Sequence, residues 1–195
     1  MQRTAKEKRK TSETEVEISL CLDGSGIAQI STGIAFFDHM LTLFAVHGFF
    51  DLSVNAIGDL DVDFHHTVED VGIVLGDAVD SALGDRRQIK RYGYAVTPMD
   101  DAMSAVALDL AKRPYLVYRV PGVPEAPGKF GLALAKEFFR ALSIHSAMNV
   151  HIHVFYGENE HHMIESVFKS LGRALDEACT GEPRLPGVQS SKGIL

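Results

Sequence analysis

The chain has 195 residues, 46% of them hydrophobic, and a formal net charge of −7. That length supports one domain or two intimate halves, and a chain of this size buries roughly 70% of its unfolded surface. The negative balance argues against broad nucleic-acid binding, and no apolar run approaches the ~18 residues of a membrane span.

The N-terminus, from Met1 to Lys10, is basic but has no apolar h-region, so it reads as a solvated end and not as a secretory signal. Only Cys21 and Cys179 occur, far apart and without metal-ligand spacing. They read as reduced, buried thiols of a cytoplasmic protein, which leaves metal ligation to histidine and carboxylate. Glu15 to Leu22 alternates polar and apolar as a half-buried strand. Asp23-Gly24-Ser25-Gly26 has turn chemistry, so Ile27 to Ile30 is expected to return as its hairpin partner. Helical spacing of Ile34, Phe37, Leu41, Phe44 and Ala45 predicts a helix closed by Gly48. Phe50 to Ile57 reads as a strand, and an acidic loop with Asp59, Asp61 and Asp63 follows.

His65-His66-Thr67-Val68-Glu69 then opens a helix running to Leu83. Arg86 to Tyr94 reads as a basic, irregular connection. Ala102 to Leu110 reads as a strand that turns at Ala111 to Pro114 into another, Tyr115 to Val120. Pro121 to Gly128, with three prolines and two glycines, reads as a loop. Phe130 to Ile144 is helical, and Val150, Ile152 and Val154 mark an alternating strand. After the loop Gly157 to Glu160, His161-His162-Met163-Ile164-Glu165 opens a last helix, and an irregular tail runs from Glu182 to Leu195.

The paired histidines and glutamate thus occur twice, on helices that each follow a helix, a strand and a loop. From His39 and from Glu137 the chain reaches a histidine eight residues on, His47 and His145; it then takes 18 and 16 residues to reach His65 and His161. This periodicity predicts an internal duplication with pseudo-twofold symmetry. It yields pseudo-repeats of about 10–92 and 93–182 plus a tail, 183–195, all within one catalytic domain.

Two imidazoles and a carboxylate within five residues form a metal-ligand grouping, suited without thiolates to Mn²⁺, Fe²⁺ or Zn²⁺. On a helix His66 and Glu69 are i,i+3 neighbours, as are His162 and Glu165, while the first histidine of each pair can aim elsewhere. Side chains of adjacent histidines diverge, so each pair is expected to serve two different ions. His39 and Glu137, near the starts of their helices, are further candidate ligands, and Asp59, Asp61 and Asp63 read as a solvated loop before they read as partners for ring N–H groups. His47, His145, His151 and His153 read as structural or surface histidines. Arg91, Arg113, Lys169 and Lys192 are candidate anion contacts, and Ser190-Ser191-Lys192-Gly193 offers two hydroxyls, a cation and open backbone amides to a phosphate.

These residues carry a resemblance. Phe37-Asp38-His39-Met40-Leu41, Gly58-Asp59-Leu60, the two His-His-x-x-Glu segments, Arg113-Pro114-Tyr115-Leu116 and Ser190-Ser191-Lys192-Gly193 together resemble the monofunctional imidazoleglycerol-phosphate dehydratases over nearly the whole chain. The resemblance implies an α+β fold of duplicated half-domains, each a roughly four-stranded sheet with helices on one face. It implies a lyase of histidine biosynthesis that removes water from D-erythro-imidazole glycerol phosphate to give imidazole acetol phosphate, with the substrate ring held as an imidazolate between two Mn²⁺ ions. It assigns His39, His65, His66, Glu69, His161, His162 and Glu165 as ligands. Where the family usually has a further histidine, this chain has Glu137, an oxygen donor; Phe64 replaces an acid that many members carry. Substrate contacts carried over are Glu13, His39, Arg91, Arg113, Lys169, Ser190, Ser191 and Lys192, with Glu13, Glu69 and Glu165 as candidate acid–base groups. A cytoplasmic homo-oligomer, a 24-mer with sites at subunit boundaries, is the implied assembly. The residues alone also admit a dinuclear metallohydrolase, or an assembly protein in which metal only staples subunits.

Overall fold

The structure, a computed structural model, describes residues 2–122 and 129–195. The expected loop Pro121 to Gly128 therefore falls largely outside the described residues. Twelve elements follow in order: β1 (Thr4–Lys10), β2 (Thr14–Cys21), β3 (Ala28–Ser31), α1 (Ala35–His47), β4 (Asp51–Gly58) and α2 (His65–Leu83), then β5 (Tyr92–Met99), β6 (Ala102–Asp109), β7 (Tyr115–Arg119), α3 (Leu132–His145), β8 (Asn149–Tyr156) and α4 (Glu160–Cys179). The second six repeat the types of the first six. Their sheets repeat as well, with strand orders β1-β2-β4-β3 and β5-β6-β8-β7. The α+β fold of duplicated four-stranded sheets is the one the sequence implies.

Each sheet shows one face to the helices. On β2, Val16, Ile18 and Leu20 are buried and Glu15, Glu17 and Ser19 alternate with them on the other face. Burying each large apolar side chain of this kind contributes about 1.5–3 kcal/mol. The four helices fill the space between the sheets and pair across the halves, α1 with α4 and α2 with α3. Glycines set how closely. A Cβ on Gly172 of α4 would lie 2.5 Å from the Phe44 carbonyl oxygen of α1, and one on Gly76 of α2 would lie 2.5 Å from Cβ of His145 and 2.9 Å from the Ser146 nitrogen. The helices of each pair therefore run side by side at backbone contact.

Three expectations are corrected. The basic N-terminus is not a loose end: its residues 4–10 are β1, antiparallel to β2. Lys6, Lys8 and Lys10 form ion pairs with Glu15 and Glu17 on the solvent face, so pairing with a neighbour replaces the apolar alternation that usually marks a strand. The segment after the Asp23–Gly26 turn is not a hairpin partner of β2; β3 crosses through α1 and pairs in parallel with β4. The equivalent strand of the second half, β7, lies parallel to β8. The connection before residue 94 already contains the start of β5, and its Arg86 is buried, donating to the carbonyls of Ser146 (2.6 Å) and Ala147 (3.1 Å).

Candidate metal centre and anion pocket

At the start of both paired-histidine helices the side chain two positions before the first histidine accepts that histidine's N–H; in α4 this residue, Asn159, is the N-cap, and in α2 it lies one residue before the N-cap Phe64. The Asp63 carboxylate accepts the N–H of His65 at 2.7 Å, and the Asn159 side chain accepts that of His161 at 2.9 Å. α1 starts on a comparable device: Asp38 Oδ1 accepts the Thr32 N–H at 2.9 Å and its hydroxyl at 2.5 Å. His39 follows directly on the first turn.

The close pairing of α1 with α4 brings His39 to the second segment. Donor atoms of His39, His161 and Glu165 all lie within 4.8 Å of one another. Glu165 Oε2 is 3.1 Å from His161 Nε2 and 3.7 Å from His39 Nε2, and Oε1 is 2.7 Å from Lys169 Nζ. One carboxylate oxygen is thus held by a cation and the other faces two imidazoles. Burial opposes ionisation of Glu165, but the Lys169 ammonium and the His161 ring outweigh it and hold the carboxyl below its usual range. The Phe36 ring meets that of His161 edge-on at 4.9 Å. Two borderline nitrogens and a hard, ionised oxygen at this separation fit a divalent ion such as Mn²⁺, Fe²⁺ or Zn²⁺.

In the first half His65 Nε2 lies 3.7 Å from Glu69 Oε2. Here and in the second half the i,i+4 pair with the first histidine is the one that meets; the i,i+3 pairs, His66 with Glu69 and His162 with Glu165, do not. Both spacings put residues on one helix face, and other carboxylates decide between them by pulling the second ring away. His66 Nδ1 lies 2.9 Å from Asp59 Oδ2 and 3.8 Å from Glu13 Oε2. His162 Nδ1 is hydrogen-bonded to Asp101. Adjacent rings consequently diverge, with interplanar angles of 90° for His65/His66 and 77° for His161/His162. Asp59 raises the pKa of His66 and Asp101 that of His162. The His162 ring and the N–H groups of Asn159 and Glu158 hold the Asp101 carboxyl well below its normal range.

Asp101 was absent from the sequence-based candidates. It lies in the β5–β6 turn, as Glu13, assigned by the resemblance, lies in the equivalent β1–β2 turn; the equivalence shows only in the fold, because neither β1 nor β5 is legible in the sequence. Glu137 lies on α3, the helix equivalent to α1, and there it is 3.2 Å from Arg140 Nη1; it does not join the His39 group. His145 is paired with Asp77 at 2.9 Å, and His151 and His153 lie exposed on the outer face of their sheet.

The predicted anion contacts form a second grouping. Arg91, Arg113, Ser190, Ser191 and Lys192 line one cavity of about 470 Å³. Arg91 is fixed there by a two-point ion pair, Nε to Asp109 Oδ1 at 2.6 Å and Nη2 to Oδ2 at 3.0 Å, and its Nη1 donates to the Gln189 carbonyl at 2.5 Å. That last bond ties the tail to the sheet. Lys169 lies apart from this cavity, in the metal grouping.

A duplicated α+β fold carries a histidine–carboxylate cluster with the donor set of a metal site, and a separate cationic cavity with the side chains of an anion site. Residues 32–175 match the family model of imidazoleglycerol-phosphate dehydratase. The dehydratase of Desulfosudis oleivorans is 60% identical over 195 residues, the full length of both chains, and that of Bacillus subtilis is 52% identical over 193 residues, 99% of this chain and all of that one. The dehydratase structure from Staphylococcus aureus has a TM-score of 0.81 at 36% identity, covering 91% of this chain and 99% of its own. That from Pyrococcus furiosus, in complex with (S)-C348, has a TM-score of 0.83 at 35% identity, covering 97% and 100%. The chain belongs to the imidazoleglycerol-phosphate dehydratase family. It is a hydro-lyase of histidine biosynthesis.

Proposed function

We propose that this chain converts D-erythro-imidazole glycerol phosphate to imidazole acetol phosphate with two Mn²⁺ ions per active site. The observation that carries this reading is the convergence of His39, His161 and Glu165, with Lys169 on the far carboxylate oxygen. His39, His65, His66, Glu69, His161, His162 and Glu165 would hold the ions, and Glu137 would offer an oxygen where a further ligand is needed. Bound divalent ions would supply acidity, letting the substrate imidazole lose its N–H and become the electron-rich imidazolate that can expel a neighbouring hydroxyl.

The remaining work falls to the chain's own groups. The C–O bond breaks as the departing hydroxyl takes up a proton and leaves as water, a proton leaves the adjacent carbon, and the resulting enol becomes the ketone. Glu13, on the β1–β2 turn at the edge of the first cluster, is the group assigned to move the carbon-bound proton, with Glu69 and Glu165 as the other carboxylates in reach of the ligand sets. Arg91, Arg113, Ser190, Ser191 and Lys192 would hold the phosphate. Their cavity is separate from the metal grouping, and the His66 and His162 rings turn from Glu69 and Glu165 of their own helices. Both features favour active sites completed between subunits, in a homo-oligomeric 24-mer. The exposed aromatic face of the second sheet, with Tyr94, Tyr115 and Phe155, supports the same assembly. Free Cys21 and Cys179 accord with a cytoplasmic location, which cell fractionation would check; among the described residues no helix is long and apolar enough to cross a membrane.

The test is incubation of purified, metal-stripped protein with imidazole glycerol phosphate, with and without Mn²⁺. A metal-dependent keto product is expected. Release of inorganic phosphate without a ketone would replace the dehydratase with a dinuclear hydrolase, and no turnover in either assay would leave a metal-stapled assembly.

A further inference from the structure

The second histidine of each pair has an orienting partner that the family resemblance does not supply. His66 Nδ1 faces Asp59 Oδ2 at 2.9 Å, whereas Glu13, at 3.8 Å from the same nitrogen, is beyond hydrogen-bond reach. His162 Nδ1 faces Asp101 Oδ1, and Asp101 Oδ2 is itself fixed by the N–H groups of Glu158 (2.6 Å) and Asn159 (2.9 Å). The other ring nitrogen, His162 Nε2, has Asp100 Oδ2 no nearer than 3.7 Å. An ionised carboxylate only accepts hydrogen bonds. The nitrogen facing it must then carry the hydrogen, and Nε2 keeps its lone pair.

The two carboxylates come from different places in the duplicated fold. Asp101 sits in the β5–β6 turn, and Asp59 in the loop between β4 and α2. Each half therefore reaches the same ring geometry by its own route, which a chance contact inherited through duplication would not produce.

We propose that Asp59 and Asp101 are positioning residues, fixing His66 and His162 as Nδ1–H tautomers with Nε2 presented to a divalent metal. This rests on the reading of these rings as ligands. A ring so fixed needs no tautomer change or reorientation before it ligates, and its basicity at Nε2 is raised by the hydrogen bond behind it. It also leaves Glu13 unencumbered beside His66.

Long-range ¹H–¹⁵N spectra of the metal-free protein at alkaline pH read the tautomer of each ring directly. His66 and His162 are expected as Nδ1–H. Asp101→Ala should move the His162 ring alone toward Nε2–H, Asp59→Ala the His66 ring alone, and Asp101→Asn, which keeps an acceptor oxygen, should preserve the wild-type pattern. Mn²⁺ titration followed by electron paramagnetic resonance should show affinity lowered about 10- to 100-fold in each alanine variant. Should Asp101→Ala loosen the loop that caps α4, Asp59→Ala carries the test, because among the described residues no backbone N–H donates to the Asp59 carboxylate. Nε2–H rings in the wild type, or variants with unchanged tautomers and affinity, would overturn the assignment. The tautomer is read without metal or substrate, so a wild type that keeps both Nδ1–H rings but forms no keto product would sink the dehydratase reading alone.

Discussion

The two halves share strand order and helix pairing, yet their clusters are chemically unequal. In the second half Glu165 is buried, with Lys169 on one oxygen and two histidines near the other. In the first half Glu69 is 42% exposed and 3.7 Å from its one histidine neighbour. The helix position equivalent to Lys169 is occupied by Ile73, and the position equivalent to His39 by Glu137, which is engaged with Arg140. Duplication reproduced the backbone and the side chains that accept the first histidine's N–H, Asp63 and Asn159, but not the charge around the carboxylate. The second cluster is preassembled within one chain; the first offers fewer of its own donors and depends more on what metal or a neighbouring subunit brings.

Substituting the two glutamates separates these roles. Glu165→Gln is expected to lower Mn²⁺ affinity by more than about 100-fold, since loss of a ligand exceeds the loss of an outer partner, and to abolish turnover. It also leaves the largely buried Lys169 ammonium without its counter-charge, at a cost of about 1–3 kcal/mol in unfolding free energy. Glu69→Gln should weaken metal binding while leaving metal-free stability within about 0.5 kcal/mol of wild type, because Glu69 is solvated and has no cation to abandon. Urea unfolding of both metal-free variants, beside Mn²⁺ titration, reads the difference. Equal stability losses would show the halves to be energetically alike, and unchanged manganese stoichiometry in Glu165→Gln would remove it from the ligand set.

The same comparison explains what the sequence could disclose. Repeated histidine pairs, apolar helix spacing and the alternating β2 and β8 were legible because each signal is local. β1 was not, since its helix-facing positions are Ala5, Glu7 and Arg9, and polar partners, Ser81 for Glu7 and Asp70 for Arg9, satisfy them. β5 was hidden by Gly93, where a Cβ would collide with the Ala174 carbonyl of α4, and by Pro98. The parallel pairings of β3 and β7 depend on helical crossovers, which adjacent turn chemistry cannot reveal. At the site, the residue types and the cationic cavity were readable. Which histidine of each pair meets the glutamate was not, because it depends on Asp59, which reads as part of a solvated loop, and on Asp101, 61 residues from His162.

The glycines between helices sharpen the comparison at a smaller scale. Gly172→Ala places a methyl against the Phe44 carbonyl of α1, five residues beyond His39. Forcing α1 away should cost about 1–3 kcal/mol as overpacking, offset by up to about 1 kcal/mol of helix propensity, and lower Mn²⁺ affinity roughly tenfold, within the range of lost ligand orientation. Gly76→Ala strains α2 against α3 in the same way. It should cost similar stability yet leave the His39–His161–Glu165 group intact. If Gly76→Ala weakens the tightest manganese site as much as Gly172→Ala does, helix spacing is not what places His39.

The outer sheet faces differ too, and here the effects on the folded chain are smallest. The second sheet exposes Tyr94, Tyr115 and Phe155, whereas the first carries Lys–Glu pairs. An exposed aromatic patch marks an association surface, so Phe155→Lys should shift sedimentation toward smaller species with little change in the subunit's own fold. Glu15→Gln should leave assembly untouched. Lys10 and Lys8 lower the Glu15 pKa from 4.5 to about 2, so its contribution to stability is present above the unfolded value and is lost as pH falls through the folded one. The stability gap between wild type and Glu15→Gln should therefore close between about pH 4.5 and 2, and close in high salt at neutral pH, since the pairs are solvent-exposed and screened. A gap that survives both conditions would mean that the ladder acts through packing of the lysine stems, and the first sheet's outer face would then share the apolar character of the second.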